Sequence, residues 1–359
     1  MTYRSLQGLR AVAVLMVVLL HVALTEVRFA NGAAIDFRLG EIGGAGVDLF
    51  FVLSGFIMMH VTRGLAGGAQ GAARFAAARA LRIYPLHWVV SLPLLAVFVA
   101  APDLINASQA AAVNLVASFL LLPAEGLPLN PVAWTLEHEM YFYLVFALVL
   151  VAAPGRWRLP ALCAWMFAVV AGSIAYGPGA PPALQLLFHP LSAEFFLGAV
   201  AGALAERAPP RGRIIFSAGL ALFLAALVWR AVFDPDAMFP VRWERVLLFG
   251  PGATLMVLGA AVAESSGRGL PTPAWTVRLG DASYAIYLAH VPAIVAVGRL
   301  WAPVDGPGLS DNVAAVLAMT AAGVGAGYAA HVLVERRLLR AARALRDLLD
   351  VRLSGRQSA

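Results

Sequence analysis

Six ionisable residues stand within strongly apolar stretches of this sequence. They are Arg10, His21, Asp48, Glu139, Glu194 and His290. If these stretches cross a bilayer, each ionisable group costs on the order of 3 kcal/mol on insertion scales. Residues retained at that cost are candidates for binding or catalysis, and guanidinium, imidazole and carboxylate groups are those that phosphate binding and proton transfer use.

Arg10 and His21 lie eleven residues apart in one apolar run. Eleven residues at 100° each return to within about 20° of the starting direction, with a rise of roughly 16 Å. Both side chains are therefore predicted on one face of a first helix, with Arg10 placed to bind an anion and His21 to accept a proton. The alternative is that Arg10 reaches the membrane surface while His21 forms a hydrogen bond between helices.

Two carboxylates are predicted at a depth similar to that of His21. Asp48 lies in GVDLFFVLSGF and Glu139 in WTLEHEMYFY. A carboxylate beside an imidazole fixes its tautomer and stabilises the imidazolium, so we expect Asp48 or Glu139 to orient His21. Asp48 could instead interact with the dipole of its own helix. Glu137 lies nearer the surface, as an interface residue or as part of a substrate chamber.

Arg79 and Arg82, in ARALRIYPLHW, are three residues apart and share a face if this segment is helical. Facing Arg10, they form a predicted cationic mouth for the phosphates of a nucleotide; otherwise they are ordinary positive charges at a membrane surface. The sequence has no glycine-rich phosphate loop, so phosphate binding would depend on arginines.

His290, in SYAIYLAHVP, is predicted near the middle of a span, with Tyr287 one turn away. It either packs in the core with one hydrogen bond or lines the reaction chamber together with Tyr287. Neither HExxH nor another metal-ligand spacing occurs, so no metal is expected. The single cysteine, Cys163, excludes an intramolecular disulfide.

The elements that must position these groups are membrane helices. Of the 359 residues, 61% are hydrophobic and 13% are charged, whereas soluble domains carry about 25% charged residues. Runs long enough to cross a bilayer predict an all-α bundle of ten spans. They are residues 8–25, 44–62, 83–101, 132–152, 160–176, 187–205, 214–233, 245–263, 283–301 and 313–334. The shorter run 110–122 is predicted to be re-entrant or interfacial.

The basic residues predict the orientation. All 26 are arginine, and a pI near 10 reflects their position between the apolar runs, not nucleic-acid binding. With ten spans and both termini in the cytoplasm, 20 arginines lie inside and six elsewhere (Arg28, Arg38, Arg230, Arg242, Arg245 and Arg299). We divide the chain into a transmembrane domain, 1–335, and a basic tail, 336–359, expected to lie on the inner membrane surface as an amphipathic helix.

Taken together, these motifs resemble the acyltransferase family 3 membrane proteins, especially those that O-acetylate bacterial exopolysaccharides and O-antigens. The resemblance covers almost the whole chain. It is carried by LRAVAVLMVVLLH, GAGVDLFFVLSGFIM, RALRIYPLHW and VAWTLEHEMYFYLVF, with weaker support from FGPGATLMVLGA and LGDASYAIYLAHVP. EHE replaces the family's more frequent single glutamate, which makes the role of Glu137 ambiguous.

This resemblance implies a multi-pass protein of the inner membrane that uses cytoplasmic acetyl-CoA as co-substrate. The acceptor is implied to be a hydroxyl of an extracytoplasmic carbohydrate, lipid-linked or polymeric. It implies that Arg10, Arg79 and Arg82 bind the donor and that His21, helped by Asp48 or Glu139, is catalytic. Further expected partners are the lipid bilayer and polysaccharide-assembly proteins or a second copy of the chain.

Several alternatives stay open at this point. The acyl group could pass directly to the acceptor or through an acetyl-His21 intermediate. The donor could carry a longer acyl chain, and the acceptor could be a non-carbohydrate such as a macrolide. A secondary transporter of a sugar or small molecule would also retain charges within the membrane, but it should show repeat symmetry, which we do not find. A non-catalytic scaffold of polysaccharide export is a third class.

Overall fold

Ten helical segments are long and apolar enough to cross a membrane, and the described chain is all-α. We analysed a computed structural model that describes residues 3–29, 42–65, 67–102, 104, 113–153, 155–177, 179–233, 243–304, 306 and 308–344. The prediction of an all-α polytopic bundle is confirmed. Arg38, Arg242 and tail residues 345–359 lie outside the described residues.

The helices follow one another without a strand in the described chain. In order they are α1 (Arg4–Phe29), α2 (Ala45–Thr62), α3 (Ala69–Ala100), α4 (Leu115–Leu120), α5 (Trp134–Ala152), α6 (Arg158–Ala175), α7 (Pro182–Leu187), α8 (Ser192–Leu204), α9 (Gly212–Phe233), α10 (Trp243–Ser265), α11 (Ala274–Trp301) and α12 (Leu309–Ala330). Helices α7 and α8 together form one span, Pro182–Leu204.

The helices of the third, ninth and last spans extend well beyond their predicted bounds, and α11 begins at Ala274 instead of residue 283. Helix α3 begins at Ala69, not near residue 83, so the expected loop before Arg82 is largely helical. After α12 a π-helical segment, His331–Glu335, is followed by further helix, and the last span runs over Leu309–Ala344. The described part of the run 110–122 contains α4, whose six residues rise only about 9 Å and cannot cross a bilayer.

Contacts between helix ends define two faces of the bundle. The N-terminal face, where α1 begins, carries hydrogen bonds from Arg4 to Glu264 and from Arg158 to the carbonyl of Thr62. The opposite face carries the hydrogen bond from Asn312 to Glu26. Helices α1 and α11 both start at the N-terminal face and pack side by side, and each also contacts α12.

Small residues allow α2 and α8 to approach closely. Gly198 and Gly202 are four residues apart on α8, the GxxxG spacing of packed membrane helices. A Cβ added at Gly198 would overlap the carbonyl oxygen of Val52 on α2, and one added at Gly55 would overlap that of Phe195 on α8. Backbone contact of this kind fixes α2, and with it the polar residues that α2 carries.

We predict that Gly198→Ala destabilises the protein by about 1–3 kcal/mol, because the added methyl group forces α2 and α8 apart. Thermal unfolding followed by circular dichroism in detergent measures the effect. Gly325→Ala on α12 is the matched control, since nothing lies within 4 Å of a Cβ at that glycine. Equal melting temperatures for the two variants would contradict the assigned contact.

Candidate active site

Two adjoining cavities meet at Arg10 and Arg82, which line both. The inner cavity, of about 110 Å³, lies within the bundle. The outer cavity, of about 560 Å³, lies toward the N-terminal face, and we call it the mouth. A wide basic mouth leading to a narrow interior suits an anionic headgroup that carries a thin reactive arm.

The inner cavity runs between α2, α3, α5 and α11. On α2 its lining extends from Met58 to Val47, and eleven residues of helix rise roughly 16 Å. Helix α1 contributes only Arg10 to the lining in the described chain. The cavity therefore does not follow the face of α1 that carries Arg10 and His21, and it reaches a similar depth along α2.

Three predicted arginines line the inner cavity together, as the sequence suggested. Arg10 donates from Nε to the Ser283 hydroxyl oxygen at 3.1 Å and, at 3.4 Å, to the carbonyl of Gly280 on α11. Arg79 lies over the ring of Phe75, 5.9 Å from its centroid, and Arg82 forms an ion pair with Glu335 at 2.8 Å. The neighbourhood is polar and strongly cationic, which suits an anionic ligand.

Glu139 lines the same cavity and faces these arginines. Its carboxylate accepts hydrogen bonds from the Ser54 hydroxyl, at 3.0 Å, and from the Tyr143 hydroxyl. Glu139 thus belongs to the arginine-lined region and does not contact His21. Glu137 is half-buried on α5 and is not among the described residues that line either cavity.

His21 contacts a second histidine, not a carboxylate. Its Nδ1 lies 3.2 Å from Nε2 of His290, and the two rings meet edge to face with centroids 4.8 Å apart. The sequence predicted that Asp48 or Glu139 contacts His21. Among the described residues, neither carboxylate forms a hydrogen bond with His21. His290 is fully buried and is not among the described residues that line either cavity, so of the two alternatives packing in the core is the one this geometry supports.

Two backbone carbonyls fix the protons on this histidine pair. His290 Nδ1 lies 3.0 Å from the carbonyl oxygen of Ile286, and His21 Nδ1 lies 2.9 Å from that of Val17. A carbonyl oxygen only accepts, so each Nδ1 is assigned as the protonated nitrogen. The single Nδ1–H of His21 is then shared between the Val17 carbonyl and Nε2 of neutral His290, and the basic lone pair of His21 is on its own Nε2. A backbone carbonyl and a neutral histidine thus make the contacts that were expected from a carboxylate.

Tyr287 connects the histidine pair with the inner cavity. Its side chain lines the cavity, and its ring lies 5.8 Å from that of His290, one turn further along α11. Thr135 donates to its hydroxyl oxygen at 2.8 Å, and the ring of Phe50 packs edge to face against it at 6.0 Å. The cavity therefore ends one helical turn from the histidines, at Tyr287 and Phe50.

Asp48 occupies a different environment from the one expected. It is fully buried and accepts two hydrogen bonds from Arg245 on α10, 2.9 Å from Nε and 2.6 Å from Nη2. Arg245 also donates to the carbonyl of Gly44, at 2.9 Å, and Glu194 interacts electrostatically with both members of the pair. This geometry makes Asp48 a link between α2 and α10.

Arg245 is absent from the predicted site, because the sequence pattern distinguishes it only as one of six arginines outside the cytoplasm. A usable signal was present, because a carboxylate predicted within a membrane requires a cationic partner. Arg245 is the first arginine of an apolar run that starts at the same face as Asp48. Their pairing could have been proposed on that ground alone.

The fold and the site define a class: a multi-pass membrane protein with a cationic cavity that leads toward a buried histidine pair. The acyltransferase domain model of acyltransferase family 3 matches residues 3–332. The chain belongs to this family, so it is a membrane acyltransferase.

Two relatives agree with this assignment. The exopolysaccharide production protein ExoZ of Rhizobium meliloti (strain 1021) is 35% identical over 321 residues, which cover 85% of this chain and 92% of ExoZ. The acyltransferase MdmB of Streptomyces mycarofaciens is 28% identical over 380 residues, covering 94% of this chain and 91% of MdmB. No solved structure shows a significant match.

We predict that Asp48→Ala lowers the stability of the fold by about 3–5 kcal/mol, because it leaves Arg245 buried without its partner. The double variant Asp48→Leu with Arg245→Met should recover most of this loss, since apolar side chains of similar size replace a buried ion pair at little cost. Thermal unfolding in detergent distinguishes the three proteins. A stable Asp48→Ala variant that has lost activity would instead favour the catalytic role.

Proposed function

We propose that this protein transfers an acetyl group from cytoplasmic acetyl-CoA to a hydroxyl of a carbohydrate on the other side of the membrane. The observation that carries this proposal is the arginine-lined cavity, which opens at one face and ends at Tyr287, one helical turn from the His21–His290 pair. Membership of the acyltransferase family supports acyl transfer. The name of the relative ExoZ, an exopolysaccharide production protein, favours a polysaccharide or its lipid-linked precursor as acceptor.

The distribution of arginine supports the proposed orientation. The described arginines at the opposite face are Arg28, Arg230, Arg245 and Arg299, and all others lie toward the N-terminal face. Arginine accumulates in cytoplasmic segments of membrane proteins. The N-terminal face, where the mouth opens, is thus assigned to the cytoplasm, where acetyl-CoA is available.

In this proposal the donor's phosphates bind in the mouth and its thin arm enters the inner cavity. The cavity lining extends along α2 over roughly 16 Å, so the arm brings the thioester close to Tyr287. Rotation of the Tyr287 and Phe50 side chains then joins the cavity to the histidines. Charge-assisted hydrogen bonds from Arg10 and Arg82 supply binding energy at one end while the reacting atoms are aligned at the other.

His21 Nε2 takes the proton of the acceptor hydroxyl in the proposed chemical step. The hydroxyl oxygen attacks the thioester carbonyl carbon, the carbon–sulfur bond breaks, and the sulfur receives the proton from the His21 imidazolium. Ester and thiol are the products, so atoms and charges balance. In the covalent variant, Nε2 of neutral His21 attacks the thioester carbonyl carbon, the carbon–sulfur bond breaks, and the CoA thiolate takes up the proton that the acetyl-imidazolium releases. The acceptor hydroxyl oxygen then attacks the acetyl carbon, the carbon–nitrogen bond breaks, and the hydroxyl proton returns to the imidazole.

The transporter and scaffold alternatives receive no specific support from the structure. A transporter would pass its substrate between the two faces without chemistry, whereas the family assignment is to acyltransferases. A scaffold would tolerate loss of His21. Acetylation of the polysaccharide therefore separates the acyltransferase from both alternatives.

We predict that deleting the gene removes O-acetyl groups from one envelope polysaccharide and that the wild-type chain restores them.

His21→Ala should lower turnover by about 10²–10⁴-fold because the general base is lost, while donor binding persists. Arg10→Ala should weaken acetyl-CoA binding by roughly ten- to a hundredfold, the value of one charge-assisted contact. Proton NMR of the polysaccharide and titration calorimetry with the purified protein measure these effects.

Matched controls for these two variants are His60→Ala and Arg207→Ala, since neither residue lines either cavity in the described chain. Both controls should retain binding and turnover. An unchanged acetylation pattern after deletion would refute the proposal, and so would full activity of His21→Ala.

We also predict that His290→Phe lowers kcat by about ten- to a hundredfold with little change in KM for acetyl-CoA. Phe fills the ring volume but cannot accept the hydrogen bond that helps to fix the tautomer of His21. His290→Gln should restore part of the rate because its side-chain oxygen accepts a hydrogen bond. The pH profile of kcat should shift in His290→Phe, whereas a purely structural role predicts an unchanged profile and no rescue by Gln.

A further inference from the structure

Three arginines beyond the last predicted span line the mouth of the cavity. Arg336, Arg340 and Arg343 share this lining with Arg10 and Arg82. They lie on the helix that continues past the π-helical segment to Ala344. The basic pattern of this segment predicted a tail on the inner membrane surface, whereas in the structure Arg336, Arg340 and Arg343 face the candidate site.

The spacing of these arginines presents them together on one helix face. Residues i, i+4 and i+7 of an α-helix fall within about 60° of one another. Arg337 is displaced by about 100° from Arg336, and it is not among the described residues that line the mouth. Three arginines of this helix therefore face the mouth, whereas Arg337, which has the same side chain, lies on a different face of the helix.

Local hydrogen bonds hold two of these side chains. Arg340 donates from Nε to the carbonyl of Arg336 at 3.3 Å, and Arg343 donates from Nε to the carbonyl of Leu339 at 3.2 Å. A guanidinium has five donors, so each of these bonds engages one and leaves the terminal nitrogens for a ligand. Side chains tied to the helix in this way lose less freedom when they bind.

The π-helical segment His331–Glu335 sets the direction of this helix. A π-turn adds one residue to a turn and rotates every later side chain relative to the preceding helix; such turns are frequent at functional sites. Within the segment, Glu335 forms its ion pair with Arg82, and His331 Nδ1 lies 2.6 Å from the other Glu335 oxygen. The continuing helix is thereby attached to the rim of the cavity.

The charges at the mouth do not balance. Five guanidinium groups line it, and the carboxylates that line it or pair with its lining in the described chain are Asp281 and Glu335. Like charges that converge on one cavity repel each other, and a bound anion with several charges removes that repulsion. A phosphomonoester, with a charge of about −1.5 to −2 near neutral pH, suits a cluster of arginines.

We propose that Arg336, Arg340 and Arg343 bind the 3′-phosphate on the ribose of CoA, while Arg10 and Arg82 bind its diphosphate. This inference rests on the proposed function, since it assigns a further part of the same donor. The tail helix is then a substrate-binding element that selects donors carrying this phosphate. It makes no contact with the reacting atoms.

The test compares acetyl-CoA with 3′-dephospho-acetyl-CoA. The full-length protein, in nanodiscs of neutral lipid, is titrated with each ligand in wild type, Arg340→Ala, Arg340→Lys and Arg337→Ala. We expect wild type and Arg337→Ala to prefer acetyl-CoA by about tenfold or more. Arg340→Ala should lose most of this preference while still binding the dephospho form as wild type does, and Arg340→Lys should keep part of it.

Three outcomes would overturn the inference. If Arg340→Ala and wild type prefer acetyl-CoA over the dephospho form equally, Arg340 does not bind the 3′-phosphate. A preference lost equally in Arg337→Ala shows a general effect of surface charge. If instead Arg340→Ala alters only the effect of adding phosphatidylglycerol to the nanodiscs, the arginines bind the phosphate of a lipid headgroup. Failure of the wild type to bind acetyl-CoA at all would refute the proposed function itself, which distinguishes the two failures.

Discussion

The low dielectric of a membrane bundle requires each buried charge to have a partner, and this constraint organises the structure. Asp48 is paired with Arg245, and Glu335 with Arg82. These two pairs lie toward opposite faces of the bundle and join helices that are distant in sequence. Removing one member of a pair leaves the other as an isolated buried charge. This destabilises the fold by far more free energy than the intact pair contributes to its stability. The arginines of the mouth are the exception, since positive charges there exceed the carboxylates, and that excess is the basis for the proposed anion site.

Helix α11 brings the other parts of the site together. Ser283, Tyr287 and His290 are spaced i, i+4 and i+7, so they share one face. Along that face, Ser283 holds Arg10, Tyr287 closes the inner cavity, and His290 contacts His21. Helices α1 and α11 run in the same direction. Ser283 of α11 therefore contacts Arg10 near the N-terminal face, and His290 of α11 contacts His21 deeper in the bundle.

Much of the fold could be predicted from the sequence, because apolar length and arginine distribution report directly on membrane spans. The grouping of Arg10, Arg79 and Arg82 also followed from spacing and depth. The residue that contacts His21 could not be predicted in this way. Depth along a helix can be estimated from residue number, but the direction of a side chain across the bundle depends on which helices are neighbours. Asp48 and His21 matched in predicted depth, yet α2 presents Asp48 to α10, and the residue that meets His21 comes from α11.

The tail shows a second limit of sequence reasoning. A run of arginines after the last apolar span is equally typical of a membrane-surface helix and of a binding site, because charge pattern alone does not specify direction. The π-helical turn sets the direction of the helix here, and its ion pair with Arg82 depends on a helix more than 240 residues earlier in the chain. Since Glu335 neutralises part of Arg82, the mouth is less positive than its arginines alone would make it. A phosphate that bound there would compete with Glu335 for Arg82, so donor binding and the position of the tail helix are coupled through one carboxylate.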